Sequence, residues 1–389
     1  MRRIYLDNAA TSWPKPQPVW DAVDRYQREC GAPAGRSAYA EAGEAEQVVR
    51  EARRGVAQLL GVRDPHCVLL AFNGTDALNL ALLGYLRPGD HVVTSVAEHN
   101  SVLRPLRALQ QQRGIEVTYV PCGRDGILDP DDIRAALRRP TRLVALVHAS
   151  NVTGAVQPLS DIGRVVREAG SRLLVDAAQS LGHIPVDVEQ LHADLLAAPA
   201  HKGLLAPLGT GILYVAPDLH RDLLPLRYGG TGTRSEDDLQ PDSLPDKYES
   251  GNHNLPGLAG LSAAAGWIRQ RGVESLAQHE RALVARLLEG LAQIDGVRLY
   301  GPRDLQARVG VVSFTVDGYD PQEVAALLDA QYRIQTRAGL HCAPRMHRHL
   351  ETLTTGGTVR ISVGPFVEPE DIDAAVQAVR EIDQARLYA

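Results

Sequence analysis

Two short segments decide the fold: Arg172-Leu173-Leu174-Val175-Asp176, and Asp194-Leu195-Leu196-Ala197-Ala198-Pro199-Ala200-His201-Lys202. Each is an apolar run of strand length that ends close to an ionisable side chain. Working outward, similar runs occupy 68–72, 91–95, 115–120, 143–147 and 211–215. Between most of them lie helical periodicities, at 77–86, 102–112, 131–137 and 162–169, and a helix over 44–60 leads into the series. Strands alternating with helices predict an α/β fold with a mostly parallel seven-stranded sheet covered on both faces.

The pattern changes at Leu224. From there to Pro256 the chain is rich in glycine and proline, with Gly229-Gly230-Thr231-Gly232-Thr233 followed by Pro241, Pro245 and Pro256. An irregular stretch of that length in a compact protein is usually functional or held by a partner. Helices over 258–271 and 273–294 follow, then strands at 297–300 and 309–315, and a helix at 321–329. Strands at 332–336 and 358–363 and a terminal helix over 369–385 complete the chain. This predicts a smaller α+β C-terminal domain. The expected division is a large domain over 16–256 and a small one made of 1–15 and 257–389.

Composition narrows the class. The chain has 389 residues, enough for one large core and a smaller one. With 41 basic and 47 acidic residues its net charge is −6, too mild to call for a nucleic-acid partner. No apolar run approaches the ~20 residues of a membrane span, and the opening residues lack the apolar stretch of a signal peptide. The expectation is a cytoplasmic protein with no membrane partner. Its four cysteines, Cys30, Cys67, Cys122 and Cys342, show neither metal-ligand spacing nor a disulfide framework. No metal site is expected, and in a reducing compartment the thiols are free.

Lysine is scarce: only Lys15, Lys202 and Lys247 occur. Asp176 sits at the carboxyl edge of its strand, where open α/β sheets bind ligands, and Lys202 follows a later strand after a short turn. Both side chains can therefore face one crevice. A lysine that holds an aldehyde as an imine, with a carboxylate that keeps a pyridine nitrogen protonated, is the pair that pyridoxal 5'-phosphate requires. Alone, the aspartate could cap a helix and the lysine could be a surface charge. The rarity of lysine and the apolar setting argue otherwise. The turn Asn73-Gly74-Thr75-Asp76 at a helix start suits a phosphate, because its N–H groups are exposed and glycine permits close approach. Such a turn also serves as an ordinary helix cap.

Taken together, a series of segments resembles the class V (fold type I) pyridoxal-phosphate enzymes, and within them the cysteine desulfurases. The segments are Tyr5-Leu6-Asp7-Asn8-Ala9-Ala10-Thr11-Ser12, Gly74-Thr75, Glu98-His99-Asn100 and Ser150-Asn151-Val152-Thr153-Gly154. They continue with Asp176-Ala177-Ala178-Gln179-Ser180, His201-Lys202, Gly209-Thr210-Gly211, Arg337-Ala338-Gly339-Leu340-His341-Cys342 and Thr358-Val359-Arg360. Their order and spacing cover the chain almost end to end. The short segment around Cys342 is similar to the group II enzymes.

The resemblance implies the following roles. Lys202 is the Schiff-base lysine and moves the substrate's α-proton; Asp176 pairs with the pyridine nitrogen. Gln179 and Asn151 hold the ring-hydroxyl side and position the substrate, and His99 stacks on the ring and helps with proton transfer as a catalytic residue. Gly74, Thr75 and His201 hold the phosphate. Arg360 grips the substrate carboxylate, a role suited to guanidinium's fork. Arg337 lines the same mouth, and Asn8 and Ala9 border the substrate. A homodimer with sites at its interface is implied, with Leu224–Pro256 as the place for cross-subunit contacts. Two positions depart from the pattern. Pro199 stands where group II enzymes commonly have serine. Asn252 stands where the neighbouring subunit usually offers a threonine to the cofactor. Phosphate anchoring is expected to be altered rather than lost.

Cys342 separates the possible functions. Gly339, His341 and Pro344 put it in a loop, and Arg337 and His341 are placed to favour its thiolate. The other three cysteines read as small buried hydrophobes. The implied reaction converts L-cysteine to L-alanine, with a persulfide on Cys342 passed to an acceptor thiol on a sulfur-acceptor protein. That sulfur would feed iron–sulfur cluster assembly or another thiolation pathway. A selenocysteine lyase or another class V aminotransferase would use the same scaffold. An inactive homologue that only binds a sulfur-acceptor protein is the non-enzymatic alternative, and the intact Lys202, Asp176, His99 and Arg360 speak against it. A nicotinamide dehydrogenase fits worst, because no strand-linked GxGxxG occurs.

Overall fold

A computed structural model describes residues 2–35, 38–233 and 236–386. Strand β1 (Ile4–Tyr5) belongs to the N-terminal arm. The large sheet is built from β2 (Val68–Ala71), β3 (His91–Ser95), β4 (Glu116–Val120), β5 (Thr141–Val147), β6 (Arg172–Asp176), β7 (Leu195–Pro199) and β8 (Gly211–Val215). Its strand order is β2-β8-β7-β6-β5-β3-β4, and only β8 runs antiparallel to its neighbours. The central strands β3, β5, β7 and β8 are buried along almost their whole length, as expected for a sheet with helices on both faces. All seven strands lie within a residue or two of the sequence expectation.

The smaller unit is a four-stranded antiparallel sheet. It comprises β9 (Val297–Tyr300), β10 (Val311–Val316), β12 (Arg337–Gly339) and β13 (Thr358–Ser362), in the order β12-β13-β10-β9. Strand β11 (Ile334–Gln335) pairs instead with β1 in parallel, which brings the N-terminus onto this unit. The expected strand 332–336 is therefore shorter, because the preceding helix runs on through Tyr332 and ends with Arg333 in the left-handed region. A further helix, Pro344–His349, was not anticipated from sequence, and near the N-terminus helix Gln17–Arg25 runs on in a π-helical turn to Cys30.

Two main apolar clusters match the two sheets. One spans Val19 to Leu276; the other joins Leu6 to residues from Leu283 to Ile382. Helix Leu255–Arg271 packs Leu258, Leu261, Ala264 and Ile268 into the first cluster. A division at 256 would cut the first turn of that helix, so packing favours a boundary beyond Gly272. Between Val215 and Leu255 the described residues form no helix or strand. That segment is nonetheless tied down: Lys247 Nζ and Tyr248 Oη donate to the His220 carbonyl over 2.7 and 2.9 Å. Arg234 and Ser235, within the expected cross-subunit loop, lie outside the described residues.

Candidate active site

The carboxyl ends of β2, β3, β5, β6 and β7 share one edge of the sheet, because these strands run in the same direction. Gly74-Thr75, His99, Asn151, Asp176 and Lys202 emerge from that edge in turn. Asp176 is buried, and its Oδ1 accepts a hydrogen bond from the Ala178 N–H at 3.0 Å. Burial raises its acid above the ordinary carboxylate range, against the opposing pull of the Ala178 bond and the Lys202 charge. Lys202 is half-buried, and its amine is pushed down to about 8 by burial. Asp176 resists that shift, while Arg360 and Arg337 reinforce it. Lysine and aspartate thus form an electrostatic pair at the base of the crevice.

Thr75 lies in the first turn of helix Gly74–Tyr85, which Asn73 caps by accepting from the Asp76 N–H at 2.9 Å. Gly74 is required by close approach, since a Cβ there would lie 2.8 Å from Pro199 Cδ. Proline at 199 is thus packed against the helix start. His99 caps the next helix: its Nδ1 accepts from the Ser101 N–H at 3.0 Å, which leaves the ring proton on Nε2. Ser101 Oγ lies 2.9 Å from the same nitrogen and 2.8 Å from Thr75 Oγ1. Ser101, given no role from sequence, therefore joins the ring-stacking candidate to the phosphate-binding one. Burial, then Lys202 and Arg337, lowers His99 to about 4, so the imidazole is neutral.

The small unit closes the crevice from above. Arg360 is buried on β13; its Nη2 donates to Asp7 Oδ1 at 2.8 Å and its Nη1 to the Asn151 carbonyl at 3.1 Å. Asp7 went unassigned in the sequence reading, though it carries the same signal as Asp176, a carboxylate just past an apolar run. Arg337 Nη2 lies 3.6 Å from Cys342 Sγ. The cysteine loop is pinned by two asparagines: the Asn100 N–H donates to the Cys342 carbonyl at 2.8 Å, and Asn151 Nδ2 to the His341 carbonyl at 2.6 Å. Both His341 and Cys342 have positive φ, 46° and 60°.

Two expectations need adjustment, that for His341 and that for Asn8 with Ala9. His341 cannot help charge the thiol: it is buried, its Nε2 faces the Thr358 carbonyl at 3.1 Å, and burial, then Arg360, holds it neutral with a value of about 2. Asn8 turns its amide into the scaffold, donating to the Ser362 carbonyl at 3.2 Å and accepting from the Trp13 N–H at 3.2 Å. Ala9 contributes through its backbone, where its carbonyl accepts from Gln179 Nε2 at 2.9 Å. Asn252 is exposed and lines a shallow hollow with Phe72, Gly209, Arg227 and Asn254, none of them a residue expected at the crevice.

Pyridoxal 5'-phosphate fits what the crevice offers. Asn151 Oδ1, His201 Nδ1 and Arg360 Nε are buried polar atoms without a partner among the described residues. An acceptor, a ring nitrogen and a cationic N–H left unpaired around one lysine are costly unless a ligand completes them. The amine, the buried carboxylate and the exposed helix start match the aldehyde, pyridine nitrogen and phosphate of that cofactor. Among the described residues no cluster could hold a metal ion, and no helix is long and apolar enough to cross a membrane.

Known proteins resemble this chain in sequence and fold. The sequence model of the family described as aminotransferase class-V matches residues 4–375. A protein of Methanothermobacter thermautotrophicus named "Probable cysteine desulfurase" is 38% identical over 383 residues, covering 97% of this chain and 94% of that one. The apo structure of a cysteine desulfurase from Thermococcus onnurineus superposes with a TM-score of 0.92 at 34% identity, over 98% of this chain and 95% of that one. A cysteine desulfurase of Escherichia coli, in an S-sulfonic acid form, gives a TM-score of 0.87 at 31% identity, over 97% and 94%.

Proposed function

The chain belongs to the aminotransferase class-V family, and from that membership we propose that it is a pyridoxal-5'-phosphate-dependent cysteine desulfurase, converting L-cysteine to L-alanine. One juxtaposition carries the choice of reaction within the family. The thiol of Cys342 is held beside Arg337, at the mouth of the crevice that contains Lys202, Asp176 and Arg360.

When bound, the cofactor supplies an aldehyde that condenses with amines and a ring that draws electrons from the substrate's α-carbon. Lys202 Nζ tethers it, and Asp176 keeps the proton of its pyridine nitrogen in place. His99, a neutral imidazole, would lie against the ring, and Gln179 and Asn151 would orient the ring-hydroxyl side. Gly74, Thr75 and His201 receive the phosphate, and Asn252 is assigned to the partner subunit's site. Arg360, with Arg337 nearby, binds the substrate carboxylate. Lys202 takes the α-proton at Nζ; a value of about 8 leaves part of the amine unprotonated near neutral pH. Cys342 Sγ, as thiolate, attacks the substrate sulfur. The carbon–sulfur bond breaks and its electron pair stays with the carbon skeleton, which takes one proton at Cβ, regains at Cα the proton that Lys202 removed, and leaves as L-alanine. The substrate's thiol proton accounts for the one gained at Cβ, and the sulfur remains on Cys342 as a persulfide anion until an acceptor thiol collects it.

The same reading includes a homodimer, a sulfur-acceptor protein partner, a cytoplasmic location and a role in iron–sulfur cluster assembly. Support for the dimer is the run of exposed apolar side chains at Phe72, Leu208, Leu226, Tyr228 and Leu239, mostly on or beside the Leu224–Pro256 segment. The deciding experiment incubates the purified yellow protein with L-cysteine and a reductant and assays alanine and sulfide together. Equal yields are expected. Cys342→Ala should abolish both while the cofactor's absorbance stays; undiminished turnover in that variant would refute the nucleophile assignment.

A further inference from the structure

We propose that Lys15 is a positioning residue for Lys202, acting through Ser12 on the two peptide carbonyls that precede and follow the catalytic amine's backbone N–H. The proposal rests on the reading that Lys202 carries the cofactor. Lys15 is buried, with 8% exposure, in the N-terminal arm. Its Nζ donates to Ser12 Oγ at 2.7 Å and to the His201 carbonyl at 2.8 Å. Among the described residues no carboxylate pairs with it. A buried ammonium without a counter-ion is expensive, and burial pushes Lys15 down to about 7. Methionine would fill similar space at no such cost, so the amine is kept for what it bonds.

Counting protons identifies the connection. Thr11 Oγ1, the Ser12 N–H and Lys15 Nζ already surround the His201 carbonyl, at 3.1, 3.1 and 2.8 Å. A carbonyl oxygen has two lone pairs, so it is fully subscribed without a further donor. Ser12 Oγ has one proton and two carbonyls in reach, that of Lys202 at 3.0 Å and the already subscribed one of His201 at 3.1 Å. It therefore accepts from Lys15 and donates to Lys202, which makes a relay from the buried amine to the backbone of the catalytic residue. On its other side this backbone is locked by Gly203, where a Cβ would lie 2.4 Å from the Leu181 carbonyl. Lys15 also adds to the Lys202 field that, after burial, holds His201 neutral at about 4.

The test is a double-mutant cycle on the full-length protein with Lys15→Met and Ser12→Ala, read in three ways. Affinity for pyridoxal 5'-phosphate added to the stripped protein should fall about 10-fold in either single variant, the loss expected for one charge-assisted hydrogen bond. The kcat with L-cysteine should fall by a similar factor, while KM stays within about two-fold because Arg360 is untouched. The double variant should be no worse than either single one, and Ser12→Thr should restore the hydroxyl and most of the affinity. Wild-type affinity in Ser12→Ala, or losses that multiply in the double variant, would overturn the relay. Should Lys15→Met fail to fold, the serine variants decide alone. A wild-type protein that takes up no cofactor would instead sink the reading of Lys202 on which the relay stands.

Discussion

Arg360, the guanidinium proposed to bind the substrate carboxylate, already donates to a carboxylate of its own chain, Asp7 Oδ1, at 2.8 Å. The two lie 353 residues apart in sequence. With Asp7 holding Nη2 and the Asn151 carbonyl holding Nη1, the fork is fixed before substrate arrives, and among the described residues its buried Nε has no acceptor. Replacing Arg360 by Lys keeps a charge but loses the fork. KM for L-cysteine should rise by at least ~10-fold, as expected from losing a charge-assisted bond. Steady-state kinetics of Arg360→Lys check this, and an unchanged KM would place the substrate carboxylate elsewhere.

Acid should destabilise the fold through buried histidines. His148 and His347 are both buried, and burial lowers each to about 4. The unfolded chain binds protons on these rings below ~6.5 while the native state does not, so stability is full above that value and falls as pH drops toward 4. Each should contribute a loss approaching ~1.4 kcal/mol per pH unit inside that window. Melting temperature measured from pH 7.5 to 5 should fall, and His347→Gln should flatten the slope.

His183 has the opposite sign. Burial alone would lower it, but Glu280, whose two carboxylate oxygens lie 3.0 and 3.1 Å from its Nδ1, outweighs burial and raises it. The stability it supplies is present below ~6.5 and is lost as pH rises through the raised value. The pair joins the loop after the Asp176 segment to helix Val273–Leu291, so it ties the two units together. Breaking such a buried pair costs about 3–5 kcal/mol. Glu280→Gln should lower the unfolding free energy by that order in denaturant titrations at pH 6, with a smaller deficit at pH 9.

The thiols should divide in reactivity. Burial and then Asp64 raise Cys67, and burial and then Asp125 push Cys122 up to about 11. Brief treatment with iodoacetamide at pH 7 should leave both unmodified and alkylate Cys342, as read by peptide mass spectrometry. Labelling of Cys122 ahead of Cys342 would contradict the assignment of the reactive cysteine.

Sequence alone determined the strands of the large sheet, their alternation with helices, and the ionisable side chains waiting at their carboxyl ends. These properties are local: a strand's apolar run and a helix's periodicity are written within a few neighbouring residues, and parallel strands bring their ends to one edge by topology. The partners of those side chains were decided only by tertiary structure. Nothing near Arg360 in sequence announces Asp7, nothing near Lys202 announces Lys15, and His341 beside Cys342 turned out neutral because β13 buries it. Desolvation and charge depend on what packs from distant parts of the chain, and periodicity carries no record of that.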